Sequence, residues 1–381
     1  MPAEKACIMG VPTLKDVARL AKVSVSTASR ALTGNPHVSI ETRARVFQAA
    51  KMLSYQPDRV AQSLRRRRSD LIGLVVSTIE NPFFTEVALG AEKAARLRGY
   101  NLIVCNTDED PQQEADYLGI LERLLVAGII IAPAPGNVGQ LERLANMSMP
   151  VVLVNRSLDI PDCSSVCADD EVAAFQCVSQ LIADGRRRIA AITGLPGVST
   201  TQQRLQGYRR ALATLEVKES VCPPFEMSGN ATLAGGYEAV CRLMQGNPTP
   251  DAMFAFNNLM TQGAVMALHD LGIDRPKQVD VAGFGALPRM HHCQPPPLLI
   301  AQPAHQMGEK AVDMLLSQFE AGSTRKSESV VLSNTVLPRQ YRYHFQRTGR
   351  LGSLYVDDAA GSAPESARAS ECWDGVRARH E

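Results

Sequence analysis

No apolar run in the 381-residue chain approaches the length that spans a bilayer. The opening MPAEKACIMGVPTLKD also lacks the hydrophobic stretch of a secretion signal. Both absences point to a cytoplasmic protein with no membrane partner. Metal-type spacing is missing as well. The nine cysteines are scattered, and CSSVC and HHC find no second CxxC or HxxxH to complete a ligand set. Buried, reduced thiols are expected, with no metal and no cofactor. Catalytic signatures are equally scarce: no GxGxxG follows the first candidate strand, and there is no Walker sequence and no GxSxG elbow. His291 and His292 stand beside no partner nucleophile or ligand and read as loop-surface residues, so no enzyme is expected. One segment lacks side-chain bulk. In KVSVSTASRALTG, Lys22 to Gly34, residues Ser24, Ser26, Thr27, Ala28 and Ser29 bury too little apolar area to build a core.

The length exceeds one ordinary core, so two or three domains are expected. A hydrophobic content of 45% with 21% charged residues fits a soluble globular protein. The net charge of +1 hides a division. Residues 1–68 hold 13 Lys and Arg against 4 Asp and Glu, a balance of +9, and the remainder holds 27 against 35, a balance of −8. A basic head on an acidic body is the footprint of a polyanion-binding module.

Within the head, Thr13 and Asp16 are spaced as a capping box that starts a helix near Leu14, with Leu14, Val17, Ala18 and Ala21 on one face. KVS makes a tight turn. Ser24 then caps a second helix running to about Leu32, with Ala28, Ala31 and Leu32 inward and Val25, Ser26, Ser29 and Arg30 outward. Ser39 caps a third helix whose inner face is Val46, Ala49, Ala50 and Leu53. This is a helix-turn-helix pattern, and the small side chains now make sense: they let the second helix seat deep in a DNA major groove while Arg30 reaches a base edge. Asp58 opens a short further helix, marginal alone, carrying Val60, Ala61 and Leu64. Against DNA, Leu64 could wedge into the minor groove, with Arg65 to Arg68 as phosphate contacts or tether.

Four stretches carry a family resemblance: TLKDVARLAKVSVSTASRAL, VSIETRARVFQAAKMLSYQPDRVAQSLR, LIGLVVSTIENPFFTEVALGAEKAARLRGYNLIV and AGFGALP. Together they resemble the lactose/galactose/purine repressor family of bacteria, from about Thr13 to Arg339. The resemblance implies a homodimer or tetramer on a pseudo-palindromic operator in double-stranded DNA, controlled by a small-molecule effector. It places Val25, Ser26 and Arg30 where the family reads bases, and Thr27 and Ser29 where it contacts phosphates or supports the helix. Thr13 and Asn35 join the DNA-facing set, and Leu64 takes the wedge position.

After Asp70 the pattern becomes strand and helix in alternation. LIGLVV, YNLIVC, AGIIIA and VVLVN read as buried parallel strands. The helices FTEVALGAEKAARLRG and QQEADYLGILERLLVAG are each taken to end in Gly. A second α/β set comes next, so two doubly wound subdomains with a cleft between them are expected. The expected fold class is thus an all-α helix-turn-helix head plus an α/β body of two doubly wound subdomains, like a periplasmic binding protein. Expected boundaries are an extension at 1–12, the helix-turn-helix at 13–57, a hinge helix and linker at 58–69, and the effector-binding and dimerisation body at 70–345. Within the body, the first lobe is assigned 70–160 and 298–325, and the second 161–297 and 326–345. Residues 346–381 lack apolar periodicity and leucine heptads, and read as a disordered tail.

Ligands of open α/β sheets bind beyond the carboxyl ends of the strands, which selects Phe83, Phe84, Asn155, Thr200, Arg204 and Asn258. The resemblance selects the same residues and adds Asn230 and Gln302. It also marks two departures: Asn258 stands where many relatives carry Asp, and Gly285 replaces another Asp. Arg204 could grip vicinal hydroxyls or a carboxylate, or form an interdomain salt bridge; Phe83 suits packing under a sugar ring or core filling. A sugar or sugar acid is the favoured effector, with a purine also compatible. Induction and co-repression both remain open. The rival class is a transporter's solute-binding protein, which would need a secretion signal and would have no use for residues 13–68.

Overall fold

The computed structural model describes residues 12–55, 69–147, 149–160, 163–215, 225–285, 296–320, 327–337, 343–346 and 353–356. They form two compact units, one made largely of the chain up to Asp70 and the other of the chain from Leu71 onward. The segment expected to form a helix around Leu64, the Arg65–Arg68 run, His291, His292 and Trp373 lie outside the described residues.

In the first unit, α1 (Leu14–Leu20), α2 (Val25–Leu32) and α3 (Ile40–Met52) form the expected trio. Asp16 accepts from the Thr13 N–H (3.0 Å) and hydroxyl (2.6 Å). Ser24 Oγ accepts from the Thr27 N–H (3.1 Å), and Ser39 Oγ from that of Thr42 (3.3 Å). The α1–α2 turn passes through Lys22 in the left-handed region, φ 54°. Val17, Ala18, Ala21, Ala28, Ala31, Val46, Ala49 and Ala50 close a small core.

The second unit contains two six-stranded sheets. The first has the order β11-β5-β4-β3-β1-β2, built from β1 (Leu71–Val76), β2 (Asn101–Asn106), β3 (Gly128–Ile131), β4 (Val151–Val154), β5 (Ser164–Ala168) and β11 (Ser329–Leu332), every pair parallel. The second has the order β12-β10-β9-β8-β6-β7. It comprises β6 (Ile189–Thr193), β7 (Phe225–Ser228), β8 (Ala252–Ala255), β9 (Asp280–Phe284), β10 (Leu298–Ala301) and β12 (Thr335–Leu337), and only β12 runs antiparallel to its neighbour.

In the first lobe, α4 (Pro82–Leu97) starts at Asn81, whose Oδ1 accepts from the Phe83 N–H (3.1 Å), and stops at Gly99, φ 79°. It packs on α11 (Ala304–Glu320) so closely that a Cβ at Gly90 would overlap the His305 carbonyl, and one at Gly308 that of Val87. The other helices of this lobe are α5 (Pro111–Arg123) and α6 (Val138–Asn146). The second lobe has α7 (Asp170–Ala183), α8 (Ser199–Leu212), α9 (Leu233–Met244) and α10 (Asn258–Asp270).

The lobe boundaries differ from the sequence reading. β5 belongs to the first sheet, not to a second lobe beginning at 161, and β10 belongs to the second sheet, not to a returning segment from 298. β11 and β12, both assigned to the second lobe, split between the sheets. The chain therefore crosses between lobes at Asp169, at Gln302–Pro303 and at Ser333–Asn334. Each crossing directly follows a strand end, with no loop to mark it in the sequence. Two further corrections concern ends. α5 stops at Arg123, with Leu125 at φ 53° making the turn, and Gly128 begins β3. There a Cβ would press on Leu315 and the Pro150 carbonyl at 2.8 and 2.9 Å, so this glycine serves packing and not helix termination. The segment read as a structureless tail contains β14 (Ser353–Val356), paired antiparallel with β13 (Tyr343–Gln346). SLYV is too short for periodicity to reveal it.

Candidate functional site

In the head, Ala28 and Ala31 are fully buried, which turns the opposite face of α2 outward. That face carries Val25 (43% exposed), Ser26 and Arg30, with Ser29 half-buried beside them. The Arg30 side chain makes no hydrogen bond or ion pair with the described residues, so its donors are available to a partner. Thr27 is half-buried, and its hydroxyl is 2.8 Å from Ser24 Oγ. Thr13 is exposed at the start of α1, its hydroxyl committed to Asp16. Asn35 shapes the turn after α2: its Oδ1 accepts from the His37 N–H, and its carbonyl from the Arg43 guanidinium, both at 2.9 Å.

In the body, the ends of β1, β4, β6, β8 and β10 converge on a cleft between the lobes, about 540 Å³ counted out to its open mouth. Six of the residues expected from sequence line it: Phe83, Phe84, Asn155, Thr200, Arg204 and Gln302. The two phenylalanines meet edge to face at 5.0 Å, border the cleft and also belong to the first-lobe core. Asn230 and Asn258 are not in the lining. Asn230 is exposed and its N–H donates to the Ser228 hydroxyl (3.2 Å), while the neighbouring Ala231 faces the cleft. Asn258 lies beneath the surface, its amide donating to Asn81 Oδ1 at 3.0 Å.

Arg204 is held on every side. Its Nε and Nη2 donate to Asp170 Oδ2 at 2.9 and 2.7 Å, its Nη1 donates to the Phe256 carbonyl, and its guanidinium lies 3.7 Å from the Phe284 ring centre. Asp170 also receives the Asn334 amide at 2.9 Å, so the network reaches two of the three crossings. Burial pushes the Asp170 carboxyl up from its ordinary range, against the pull of Arg204 and Asn334. Arg204 thus forms an ion pair within the second lobe, where the sequence reading offers a salt bridge between domains.

Sequence reasoning missed a second cleft arginine. Arg156 donates to both oxygens of Glu109 (2.7 and 2.5 Å) and to the Pro133 carbonyl (2.8 Å). It directly follows Asn155 at the same strand end, which was the available signal. Ser77, Thr78, Asn81 and Asn257 add further polar groups. Backbone strain gathers here: Glu109 (φ 63°), Asn155 (φ 65°), Asn230 (φ 49°) and Ala231 (φ 58°) are all left-handed. Three buried polar atoms of lining residues lack hydrogen-bond partners: Asn155 Oδ1, an acceptor, and Arg156 Nε and Gln302 Nε2, both donors.

A helix-turn-helix unit preceding a two-lobed α/β unit with polar strand ends around a cleft defines a DNA-binding regulator with a small-molecule-sensing body. Family comparison agrees on both parts. Residues 69–341 match the model described as periplasmic binding proteins and sugar binding domain of LacI family, and residues 13–58 match that of bacterial regulatory proteins, lacI family. The chain belongs to the LacI family of bacterial transcriptional regulators. It is 35% identical over 306 residues to the ribose operon repressor of Bacillus subtilis (strain 168), covering 80% of this chain and 90% of that protein. Among solved structures, it is similar to the lac repressor dimer bound to operator and the anti-inducer ONPF, with TM-score 0.75, 25% identity, and 86% of this chain and 98% of that one covered. It is also similar to a complex of the transcriptional regulator CelR with cellobiose, with TM-score 0.61, 30% identity, and the same shares covered. Among the described residues no helix is long and apolar enough to cross a membrane.

Proposed function

We propose that the protein is a repressor that binds a pseudo-palindromic operator as a homodimer and releases or gains that grip when a neutral sugar enters the cleft. In this reading Val25, Ser26 and Arg30 meet base edges, Thr13, Thr27, Ser29 and Asn35 support or contact the phosphate backbone, and Leu64 wedges the minor groove. Phe83 and Phe84 give the ligand an apolar wall, and Asn155, Thr200, Arg204 and Gln302 give it hydrogen bonds. Asn230 and Asn258, outside the lining, would act through neighbours. Coupling follows from how differently the ligand binds the open and closed arrangements of the lobes.

The observation that carries the choice of ligand is charge. Arg156 and Arg204, the two arginines of the cleft lining, are each matched by a carboxylate, Glu109 and Asp170. A ligand carboxylate would have to displace one of these, whereas hydroxyls can share the guanidinium edges and meet the unpartnered Asn155 and Gln302 atoms. A neutral sugar is therefore favoured over a sugar acid. Two similar proteins, the repressor of a ribose operon and the regulator bound to cellobiose, support the same class.

Thermal unfolding of the full chain against pentoses, hexoses, disaccharides, their aldonic and uronic acids, and purines tests this. A rise in the melting temperature with a neutral sugar is expected. A response confined to acids or purines would overturn the assignment.

A further inference from the structure

The two lobes touch across the cleft through the chain's own polar groups. Asn81, the cap of α4 in the first lobe, uses Oδ1 twice, accepting from its own helix at Phe83 N (3.1 Å) and from Asn258 Nδ2 of the second lobe (3.0 Å). Both asparagines are buried, at 7% and 5% exposure. Nearer the mouth, the Ser157 N–H of the first lobe donates to Ser199 Oγ of the second at 3.0 Å. Asn258 has room for this pose only because residue 285 is glycine: a Cβ there would overlap Asn258 Oδ1, and the backbone at φ 140° suits glycine alone.

We infer that Asn81, Asn258 and Gly285 form a latch that holds the lobes together without a ligand. The parts are matched in chemistry. Capping α4 requires an acceptor at position 81, which fixes the Asn81 carbonyl oxygen toward the helix and toward residue 258. Position 258 must therefore supply a donor. An amide does so and a carboxylate cannot, and glycine at 285 leaves the amide its space. Asn258 Oδ1 remains buried without a partner, so the arrangement costs solvation that an open cleft would restore. The latch is accordingly weak, and it biases the resting position of the lobes without locking them. It deepens the reading of the cleft as the sensing site by setting the state from which a ligand must work.

Hydrogen exchange of the full chain, free of DNA and ligand, tests the latch, with the Ser157 amide as reporter because its hydrogen bond crosses the cleft far in sequence from all three residues. Asn258→Ala should speed Ser157 exchange about five- to ten-fold, the scale of one net hydrogen bond, and leave the central-strand amides of Ile130 and Phe254 unchanged. Gly285→Ala should act in the same direction by crowding Asn258. Asn81→Asp keeps both acceptor roles and should leave Ser157 protected, whereas Asn258→Asp removes the donor and should not. Unchanged Ser157 exchange in Asn258→Ala overturns the latch, as does equal deprotection by Asn81→Asp and Asn258→Asp. Should Gly285→Ala fail to fold, the asparagine pair still decides. A body that responds to no sugar would leave these outcomes intact, so the two readings fail separately.

Discussion

Arg204 shows how a side chain can be located from sequence while its surroundings stay hidden. The rule that ligands gather beyond strand ends finds it, together with Asn155 and Thr200, because strands are legible as apolar runs. Its tie to Asp170, 34 positions away, depends on how α7 and α8 pack, which no local pattern records. The tie changes what a substitution does. Arg204→Ala removes more than a ligand contact: it strands a buried carboxylate whose other partner is the Asn334 amide. The expected result is a loss of about 3–5 kcal/mol in urea unfolding. Unchanged stability would mean that the pair contributes nothing. Glu109, the partner of Arg156, was equally illegible: it follows Asp108, and two adjacent non-glycine residues at φ 50° and 63° have no sequence signature. Glu114 belongs to the same side of the cleft. Fully buried, it accepts from the Ala134 N–H at 2.6 Å and the Asn137 amide at 3.0 Å, and burial pushes its pKa up in spite of both. The folded chain then holds this proton at a pH where the unfolded chain has already lost it. Stability from this group falls as pH rises from the ordinary carboxylate range through the folded pKa, and stays lower above it. Glu114→Gln should lack that decline, so the variant should compare better with the parent at pH 7 than at pH 4.5 in denaturant titrations. A constant difference at the two values would refute the sign.

At the scale of elements, the head was legible because each helix announces its own start. α2 is the clearest case. It is too short and too lean to be stable by burial, so its cap carries an unusual share. Ser24 Oγ accepts from the Thr27 N–H and also lies 2.8 Å from both the Ser26 and the Thr27 hydroxyls. Ser24→Ala should cost about 1 kcal/mol, read as roughly five-fold faster exchange of α2 amides such as Ala28, with β3 amides unaffected. Equal exchange in both proteins would show that packing alone holds the helix. The body's elements were less legible where burial comes from neighbours and not from composition. β5 reads SSVCA, yet all five residues are buried between β4 and β11. Periodicity gives such a segment no weight, and without β5 the first crossing shifts by several residues. β10 is hard to place for a different reason. LLIA reads as a strand in either sheet, and only its pairing with β9 decides between them.

For the whole molecule, charge separates the two units more sharply than sequence length does. Residues 1–68 carry +9 and the rest −8, so one chain joins a polyanion-binding head to a body of opposite sign. The two activities should answer differently to salt. Each phosphate neutralised by the head releases condensed counterion, so the logarithm of operator affinity should fall with that of salt, with slope about −0.9 per phosphate contacted. Binding in the cleft should scarcely change, because Arg156 and Arg204 already face Glu109 and Asp170 and a neutral sugar adds no charge. Operator titrations and ligand calorimetry on the same full-length protein, at several salt concentrations, separate these slopes. A ligand affinity that weakened with salt would reveal a charged effector displacing one of the internal pairs, and would count for the sugar acid. An operator affinity indifferent to salt would undermine more, since the basic excess that first distinguished the head would then have no phosphate to meet.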